Sequence, residues 1–381
     1  MSVCTAALLA LLGAGDAYAA TLRFDGVVLD GLANPRGLAV GPGGWLYVSE
    51  AGRGGDGPSI VDGAGETVSF GRTGAVIRYR AGVRESVLSG LPSLAPAGGF
   101  GATGPHDVAI SGDGRLHAVL GFGANPARRE DLASEPGADL LGRIVSVEGG
   151  AVTPIADLTE FEGTHGPDDE PNSNPFSLVE VGDGFVVTDS GGNDVLDVSA
   201  TGAISLRTYL PPQLNPLPFG PPVYQAVPTG AAVGASGDIL VGQLTGFPFP
   251  VGSASVFGID TAGSAVVIAG GFTNLIDVAY GGGMGYALEL DSDSLLGPLT
   301  SGSLFSFDAT GTKTLLYGGL VNPTGLALGE GGRIFLSENG LSPTDGRVIA
   351  LAPVPLPASL PLLAGCLAAL GAFYYRRVRR E

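Results

Sequence analysis

Cysteine is almost missing from this 381-residue chain, with Cys4 and Cys366 the only two. Neither falls within residues 20–353, so that stretch has no disulfide staple, thiol nucleophile or thiolate metal site. Lysine is scarcer still. Lys313 stands alone, which leaves guanidinium as nearly all of the cationic chemistry. Acidic residues number 37 against 19 basic ones, giving a net charge of −18. With no positive excess to displace phosphate counterions, a nucleic-acid partner is excluded. Only 15% of residues are charged while 44% are hydrophobic, a balance that rules out intrinsic disorder. Turn-forming residues, by contrast, are plentiful. The 65 Gly and 28 Pro make up about a quarter of the chain, and without a three-residue Gly period they punctuate many short elements rather than build collagen.

Both ends read as targeting segments. The apolar run Cys4 to Gly15 followed by Ala17-Tyr18-Ala19 has the order of a secretory signal, predicting a signal peptide at residues 1–19. No Lys or Arg precedes the run, and a buried N-terminal helix is the alternative. At the other end, Leu356 to Tyr375 is a run of 20 uncharged residues followed by Arg376, Arg377, Arg379 and Arg380. That length crosses about 30 Å of hydrocarbon as a helix. The arginines mark its cytoplasmic end and predict that the body of the protein lies outside, on the outer face of the inner membrane or in the periplasm.

The strongest signal is internal repetition. The segment Asn34-Pro35-Arg36-Gly37-Leu38-Ala39-Val40, a Gly-rich turn and Trp45 to Glu50 recur near the far end as Asn322-Pro323-Thr324-Gly325-Leu326-Ala327-Leu328 and Arg333 to Glu338. Four weaker copies start at 104, 174, 227 and 274, so successive starts at 34, 104, 174, 227, 274 and 322 are 70, 70, 53, 47 and 48 residues apart. Each copy continues with two further strand-like runs, such as Ala75 to Arg80 with Glu85 to Leu91, Arg143 to Val147 with Val152 to Leu158, and Ser303 to Asp308 with Lys313 to Leu320. Four strands per repeat predict an all-β, six-bladed β-propeller over residues 20–353, about 55 residues per blade, followed by a tail at 354–381. The last repeat supplies only a third strand, Gly346 to Leu351, and Leu22 to Leu32 is predicted to complete its sheet and close the ring. A two-domain sandwich is the alternative, but it leaves the recurring Asn, Pro and Gly unexplained.

The first and third turns of each repeat are short, so the long segments at 52–74, 121–142, 159–173 and 211–224 all fall on one face of the disc. Loops on a rigid scaffold build binding surfaces, which makes this the expected functional face. The alignment also places Glu50, Leu120, Asp189, Gln243, Glu289 and Glu338 at equivalent ends of the second strand. Four carboxylates at a spacing of about 8 Å repel by about 2 kcal/mol per pair at an effective dielectric near 20. They require a cation, an arginine or water. Glu50, Asp189, Glu289 and Glu338 are therefore candidate ligands for Ca²⁺ or another divalent cation, with Asn34, Asn174, Asn274 and Asn322 able to add carbonyl oxygens. Asn-Pro also starts turns, which is the alternative for the asparagines. Arg53 is placed to pair with Glu50 or to hold an anionic ligand. His106 and Asp107 in GPHDVA lie at the expected channel mouth and, with Glu50, Arg53, Asp189, Asn193 and Gln243, complete the candidate binding set. His117 reads as structural, and His165 sits in an acidic loop. Strands distant in sequence determine every meeting point in such a fold, so spacing alone assigns no Ser-His-Asp set and no carboxylate pair.

Val354-Pro355-Leu356-Pro357-Ala358-Ser359, the apolar run and the Arg cluster together resemble the VPLPA variant of PEP-CTERM sorting signals. The resemblance implies an exosortase-type partner and release to the cell surface or medium, with an ordinary single-pass anchor as the alternative. GPHDVAI, GFGANP (121–126), NSNPFSL (172–178), DSGGNDVL (189–196), GQLTGFPFPVG (242–252) and SENG (337–340) resemble the ScyD/ScyE family, which is associated with the gene cluster for an extracellular sunscreen pigment. That likeness spans most of 22–350 and implies an exported propeller of the NHL or TolB type, without catalytic residues to carry over. Two functions remain open. One is a non-enzymatic binding module that holds a small molecule, glycan or matrix partner on the loop face. The other is a metal-dependent hydrolase or lactonase resembling gluconolactonase-type propellers, with His106 as base.

Overall fold

The computed structural model describes residues 22–166 and 171–354. The expected signal at 1–19 and the apolar run from Leu356 lie outside them. Among the described residues no helix is long and apolar enough to cross a membrane.

Six antiparallel sheets follow one another along the chain. The strands of each blade are lettered a to d outward from the axis. Blade 1 contains Pro35–Val40, Leu46–Glu50, Thr67–Arg80 and Val83–Ala95, with Ser59–Val61 added on strand c. Blade 2 contains Pro105–Ile110, Leu116–Leu120, Arg143–Glu148 and Ala151–Asp157. Blade 3 is Pro175–Val181, Gly184–Asp189, Asp194–Val198 and Ile204–Tyr209, and blade 4 is Pro228–Val233, Ile239–Gln243, Ala254–Ile259 and Ala265–Phe272. Blade 5 is Leu275–Gly281, Met284–Glu289, Gly302–Phe307 and Lys313–Leu320. Blade 6 takes Gly325–Leu328, Ile334–Glu338 and Gly346–Pro353 from the end of the chain, and Leu22–Leu32 as its outer strand. The ring is thus sealed as the repeat count predicts, and no blade is left with an open seam. Strand a of each blade contacts strand a of the next all the way round, so these six strands enclose the axis.

Apolar residues from facing sheets fill the gaps between blades. Val76, Leu88, Val108 and Ala118 join blades 1 and 2. Ile144, Leu178 and Val187 join blades 2 and 3, and Val256, Phe272 and Phe307 join blades 4 and 5. The sequence spacing survives in the register. Pro35 pairs with Glu50, Pro105 with Leu120, Pro175 with Asp189, Pro228 with Gln243 and Leu275 with Glu289. A register shift follows each of these pairs, which marks a bulge at the start of strand a. Asn34, Asn274 and Asn322 sit just before this point at φ of 48°, 44° and 44°. Asparagine tolerates that left-handed conformation, which accounts for its recurrence there.

Three expected loops are more structured than the sequence indicates. In blade 1 strands c and d reach Thr67 and Ala95 instead of Ala75 and Leu91, so much of 52–74 is strand. The run Thr67 to Thr73 alternates too weakly to be read as strand, yet Val68 and Phe70 find a separate apolar cluster there. Leu158–His165 is a helix capped by Asp157, which accepts from Glu160 N, rather than the end of strand d followed by loop. The segment 211–224 folds into a short ribbon, Gln213–Leu214 against Val223–Tyr224.

Candidate functional site

The end of strand b is where the repeat alignment gathers its carboxylates, and all four are buried. Each is directed at the corner where strand d of the preceding blade enters strand a. Glu50 Oε1 accepts from Ala33 N at 2.7 Å, Glu289 Oε1 from Thr273 N at 2.8 Å and Glu338 Oε1 from Val321 N at 3.1 Å. Asp189, one methylene shorter, reaches one residue further to Asn174 N at 2.6 Å and also accepts from Gly191 N and Gly192 N. Each remaining oxygen has its own partner. Arg84 stands 3.8 Å from Glu50, Arg347 Nε donates to Glu338 at 2.7 Å, Ser292 Oγ to Glu289 at 2.5 Å and Ser173 Oγ to Asp189 at 2.8 Å. Burial raises the pKa of Glu50, Asp189 and Glu289, and these hydrogen bonds oppose it. The carboxylates therefore act as corner clamps, satisfied blade by blade. Among the described residues no three His, Cys, Asp or Glu side chains gather into a group that could hold a metal.

The two non-acidic members of this set differ from one another. Leu120 is fully buried and apolar. Gln243 is equally buried, but neither its Oε1 nor its Nε2 has a hydrogen-bond partner. The asparagine oxygens also divide. Asn34 Oδ1 accepts from Ala102 N at 3.3 Å, whereas Oδ1 of Asn174, Asn274 and Asn322 is buried and unpartnered.

A second ring of polar groups lies lower, between neighbouring a strands. Asp107 in blade 2 accepts from Ser177 Oγ at 3.1 Å and from Leu178 N at 2.9 Å, both in blade 3. Ser177 Oγ in turn accepts from Ala231 N of blade 4 at 3.1 Å. Asp277 in blade 5 accepts from Leu326 N of blade 6 at 2.7 Å. Glycine occupies the equivalent position in the other three blades. A Cβ on Gly37 would strike Asp107, and one on Gly230 would strike Asp277, so the carboxylates need those glycines beside them. Burial pushes Asp107 up to about 6. Burial first, and the charge of Asp107 second, push Asp277 well above the usual carboxylate range.

Just above these acids, buried Arg36 donates to Gly340 O at 2.6 Å and Ala102 O at 2.8 Å, and burial lowers its pKa to about 10. His106 is buried with its ring 5.2 Å from Phe176 and Nδ1 3.0 Å from Pro175 O. Burial, then Arg36, pulls its pKa down to about 3. It is neutral at physiological pH. Because a carbonyl only accepts, Nδ1 carries the proton and Nε2 keeps its lone pair.

The outer part of the loop face has two characters. Over blades 1 and 2, Ile60, Phe70, Leu94, Phe122 and Leu132 form a small core of their own beneath the extended hairpin and the turns at Pro126–Leu132. Arg129 grips Asp157 through two 2.7 Å hydrogen bonds and ties those turns to blade 2. Over blades 3 and 4 the loops carry no charge, since from Thr208 to Ile259 the only ionisable acid or base of the Asp, Glu, Lys or Arg type is Asp238, on the opposite face, while the adjoining blade 5 loop holds Asp291 and Asp293. Leu214 is 82% exposed, Val251 61% and Phe247 50%. Phe219 is also half exposed, and Gly220 beside it packs on Phe247 and Pro248. This wall is braced from within. Asn215 Nδ2 donates to Phe219 O and Pro221 O, and Ser294 Oγ of the blade 5 loop donates to Phe249 O at 2.9 Å.

The expected site residues thus fall into separate places. Asn193 is buried in the blade 3 loop and accepts from Val227 N at 3.0 Å. Arg53 is exposed, and its backbone N donates to Thr73 Oγ1. His117 packs on Phe185 at 4.8 Å inside strand b, and His165 stacks on Phe161 at 5.0 Å on the surface helix. Sequence reasoning did not single out Arg36, Ser177 and Asp277. The signal was available, since Gly37, Asp107, Ser177, Gly230, Asp277 and Gly325 occupy one column of the repeat alignment.

No family model matches the chain, and no curated protein matches it. Among solved structures, the PQQ-bound aldose sugar dehydrogenase from Streptomyces coelicolor is similar, with 15% identity, 87% of this chain and 97% of that one covered, and a TM-score of 0.48. A gluconolactonase from Xanthomonas campestris is 12% identical over 86% of this chain and 98% of its own, at 0.44. A streptogramin B lyase is 14% identical over 86% and 97%, also at 0.44. At such distances the likeness is one of fold, and the fold itself is the six-bladed propeller that the six sheets define.

Proposed function

We propose that the chain is an exported recognition module that holds an uncharged, apolar-faced ligand, such as a neutral glycan, against the loops of blades 3 to 5. The exposed wall of Leu214, Phe219, Phe247 and Val251 carries this reading. In a chain of net charge −18, a braced and uncharged aromatic surface repels no neutral partner and offers apolar area that water solvates poorly. Its prolines and internal hydrogen bonds fix the loops in advance, which lowers the entropy lost on binding. The four inward carboxylates are satisfied by N–H, hydroxyl and guanidinium groups of the propeller itself, whereas the wall stands exposed. Retention of the purified chain on immobilised neutral polysaccharides, compared with acidic ones, tests the reading. Retention lost in Leu214→Asp/Phe247→Asp supports it, and equal retention of that variant removes it.

A cation-dependent hydrolase is the second reading, and the unpartnered oxygens of Asn174, Asn274 and Asn322 favour it. They are hard, neutral donors of the type Ca²⁺ takes. The four corner carboxylates do not fit as its ligands, because their oxygens already hold N–H, hydroxyl or guanidinium groups. Elemental analysis of the native protein, with lactone hydrolysis measured before and after chelation, separates this reading from the first.

A further inference from the structure

Where blade 6 closes against blade 1, a cleft opens on the face of the short turns, opposite the recognition loops. Its volume is about 290 Å³, and it lies between the closing strand at Asp25 to Val28, the first turn of blade 1 at Gly44 and the turn after strand c at Arg80 and Ala81. The walls are apolar. Leu46 and Ala350 are buried, while Val28, Tyr79 and Phe335 are half-buried, so the cleft is the open end of the core that joins the two blades. Glycine keeps the mouth clear. At Gly26 and Gly44, with φ of 125° and 74°, nothing stands within 4 Å of the place a Cβ would take.

The mouth also carries charge. Asp25, Arg80 and Arg333 line it, and two guanidinium groups against one carboxylate leave a net charge of +1. Asp25 is ion-paired with Arg333, so Arg80 is the group left over. It is exposed, lies 4.5 Å from the ring centre of Trp45, and donates through Nη1 to Gly43 O at 3.2 Å. Among the described residues no carboxylate pairs with it, whereas Arg78, over the same indole, is held by Glu85. A second cleft on this face, about 170 Å³ between blades 4 and 5, is walled by Leu240, Tyr280 and Phe307 but carries Asp238 and Asp308 and no base.

We propose that the cleft at the seam of blades 1 and 6 binds a small aromatic carboxylate, with its ring among Val28, Leu46, Tyr79 and Phe335 and its carboxylate on Arg80. Small-molecule sites begin at about 300 Å³, so the cleft takes one or two rings and excludes a polymer. Aromatic and aliphatic walls favour a ring. The net charge of +1 matches a monoanion, and a guanidinium holds a carboxylate through two parallel N–H donors. Nε and Nη2 of Arg80 form such a fork and have no acceptor among the described residues. Contact with Trp45 holds the guanidinium in place beforehand, which lowers the entropy lost on binding. The cleft between blades 4 and 5 repels the same ligand through its two acids. This site lies on the other face from the wall over blades 3 to 5 and does not depend on it.

Trp45 is the only tryptophan in the chain and touches Arg80, so its emission reports where a ligand sits. The purified full chain is titrated with 3-phenylpropionate and with its neutral amide, 3-phenylpropanamide, by calorimetry and by Trp45 emission. The acid is expected to bind saturably, to change Trp45 emission, and to bind at least about tenfold more tightly than the amide. Arg80→Gln is expected to bring the acid down to the level of the amide. Arg115→Gln, which removes a turn-face arginine already paired with Asp113, is expected to change neither. Val28→Phe fills the apolar end and is expected to weaken both ligands. Unfolding midpoints of the three variants verify that they fold. Absence of saturable binding, equal affinity for acid and amide, or an Arg80→Gln chain that binds the acid as wild type does would overturn the proposal. Binding heat with no change in Trp45 emission would place the acid elsewhere and overturn it as well.

Discussion

Asp107 of blade 2 accepts the backbone N–H of Leu178 in blade 3 at 2.9 Å. A side chain thereby joins two sheets whose strands share no ladder, close to the axis. Asp277 makes the corresponding bond from blade 5 to blade 6 at 2.7 Å. Hydroxyl groups carry the joint elsewhere, with Thr188 Oγ1 donating to Thr229 O and Thr324 Oγ1 to Pro35 O. Removing either acid leaves a buried N–H unsatisfied. Asp107→Ala and Asp277→Ala are each expected to lower stability by about 2 to 4 kcal/mol in urea titrations. A loss below about 1 kcal/mol would mean that packing alone holds the inner ring.

His106 and Asp107 should conceal each other in the pH dependence of stability. Folding raises the Asp107 pKa from 3.8 to about 6, so its contribution is complete below pH 3.8 and is lost as pH rises through about 6. Folding lowers the His106 pKa from 6.5 to about 3, so its contribution is complete above pH 6.5 and is lost as pH falls through about 3. Between about pH 4 and 6 the two slopes, each about 1.4 kcal/mol per pH unit, have opposite signs. Relative to wild type, His106→Gln should therefore gain about 2 kcal/mol as pH falls across that window, and Asp107→Asn should gain as pH rises. Parallel curves for both variants and wild type would contradict the assignment.

Gln243 and Glu289 occupy equivalent places but differ in their partners. Glu289→Leu strands Thr273 N and leaves Ser292 Oγ with Ser303 Oγ alone, and is expected to cost about 2 to 3 kcal/mol. Gln243→Leu copies the residue that blade 2 already uses and removes two unpartnered polar atoms. It is expected to lie within about 1 kcal/mol of wild type or above it. A large loss in Gln243→Leu would show that a bound water or ligand uses the amide.

The wall residues are expected to behave in the opposite manner. Leu214→Asp/Phe247→Asp removes exposed apolar groups and should leave the unfolding midpoint nearly unchanged, within about 0.5 kcal/mol per site, while abolishing retention on neutral polysaccharide.

The repeat spacing made the propeller, its six blades and the closing strand Leu22–Leu32 legible, because turn residues recur wherever a strand must start. It also aligned Glu50 with Glu338 correctly. It could not say what those acids touch. The partner of Glu50 is Ala33 N, and although the recurring Asn34 marks that corner, residue type does not say which N–H the carboxylate reaches. The inner acids were half legible. His106 and Asp107 stood out by residue type, whereas Asp277 lay in a weak repeat and becomes meaningful only beside Gly230 and Leu326. Of the wall over blades 3 to 5 only the long segment 211–224 was visible, and its aromatic exposure depends on how two loops brace each other.

Hydrogen exchange of the full chain with and without a neutral polysaccharide tests the central claim most directly. The account predicts slowed exchange confined to 211–224, 244–253 and 290–301, with the corner and inner-ring amides unchanged. Protection at Ala33, Asn174 and Leu178, with none on the wall, would contradict it.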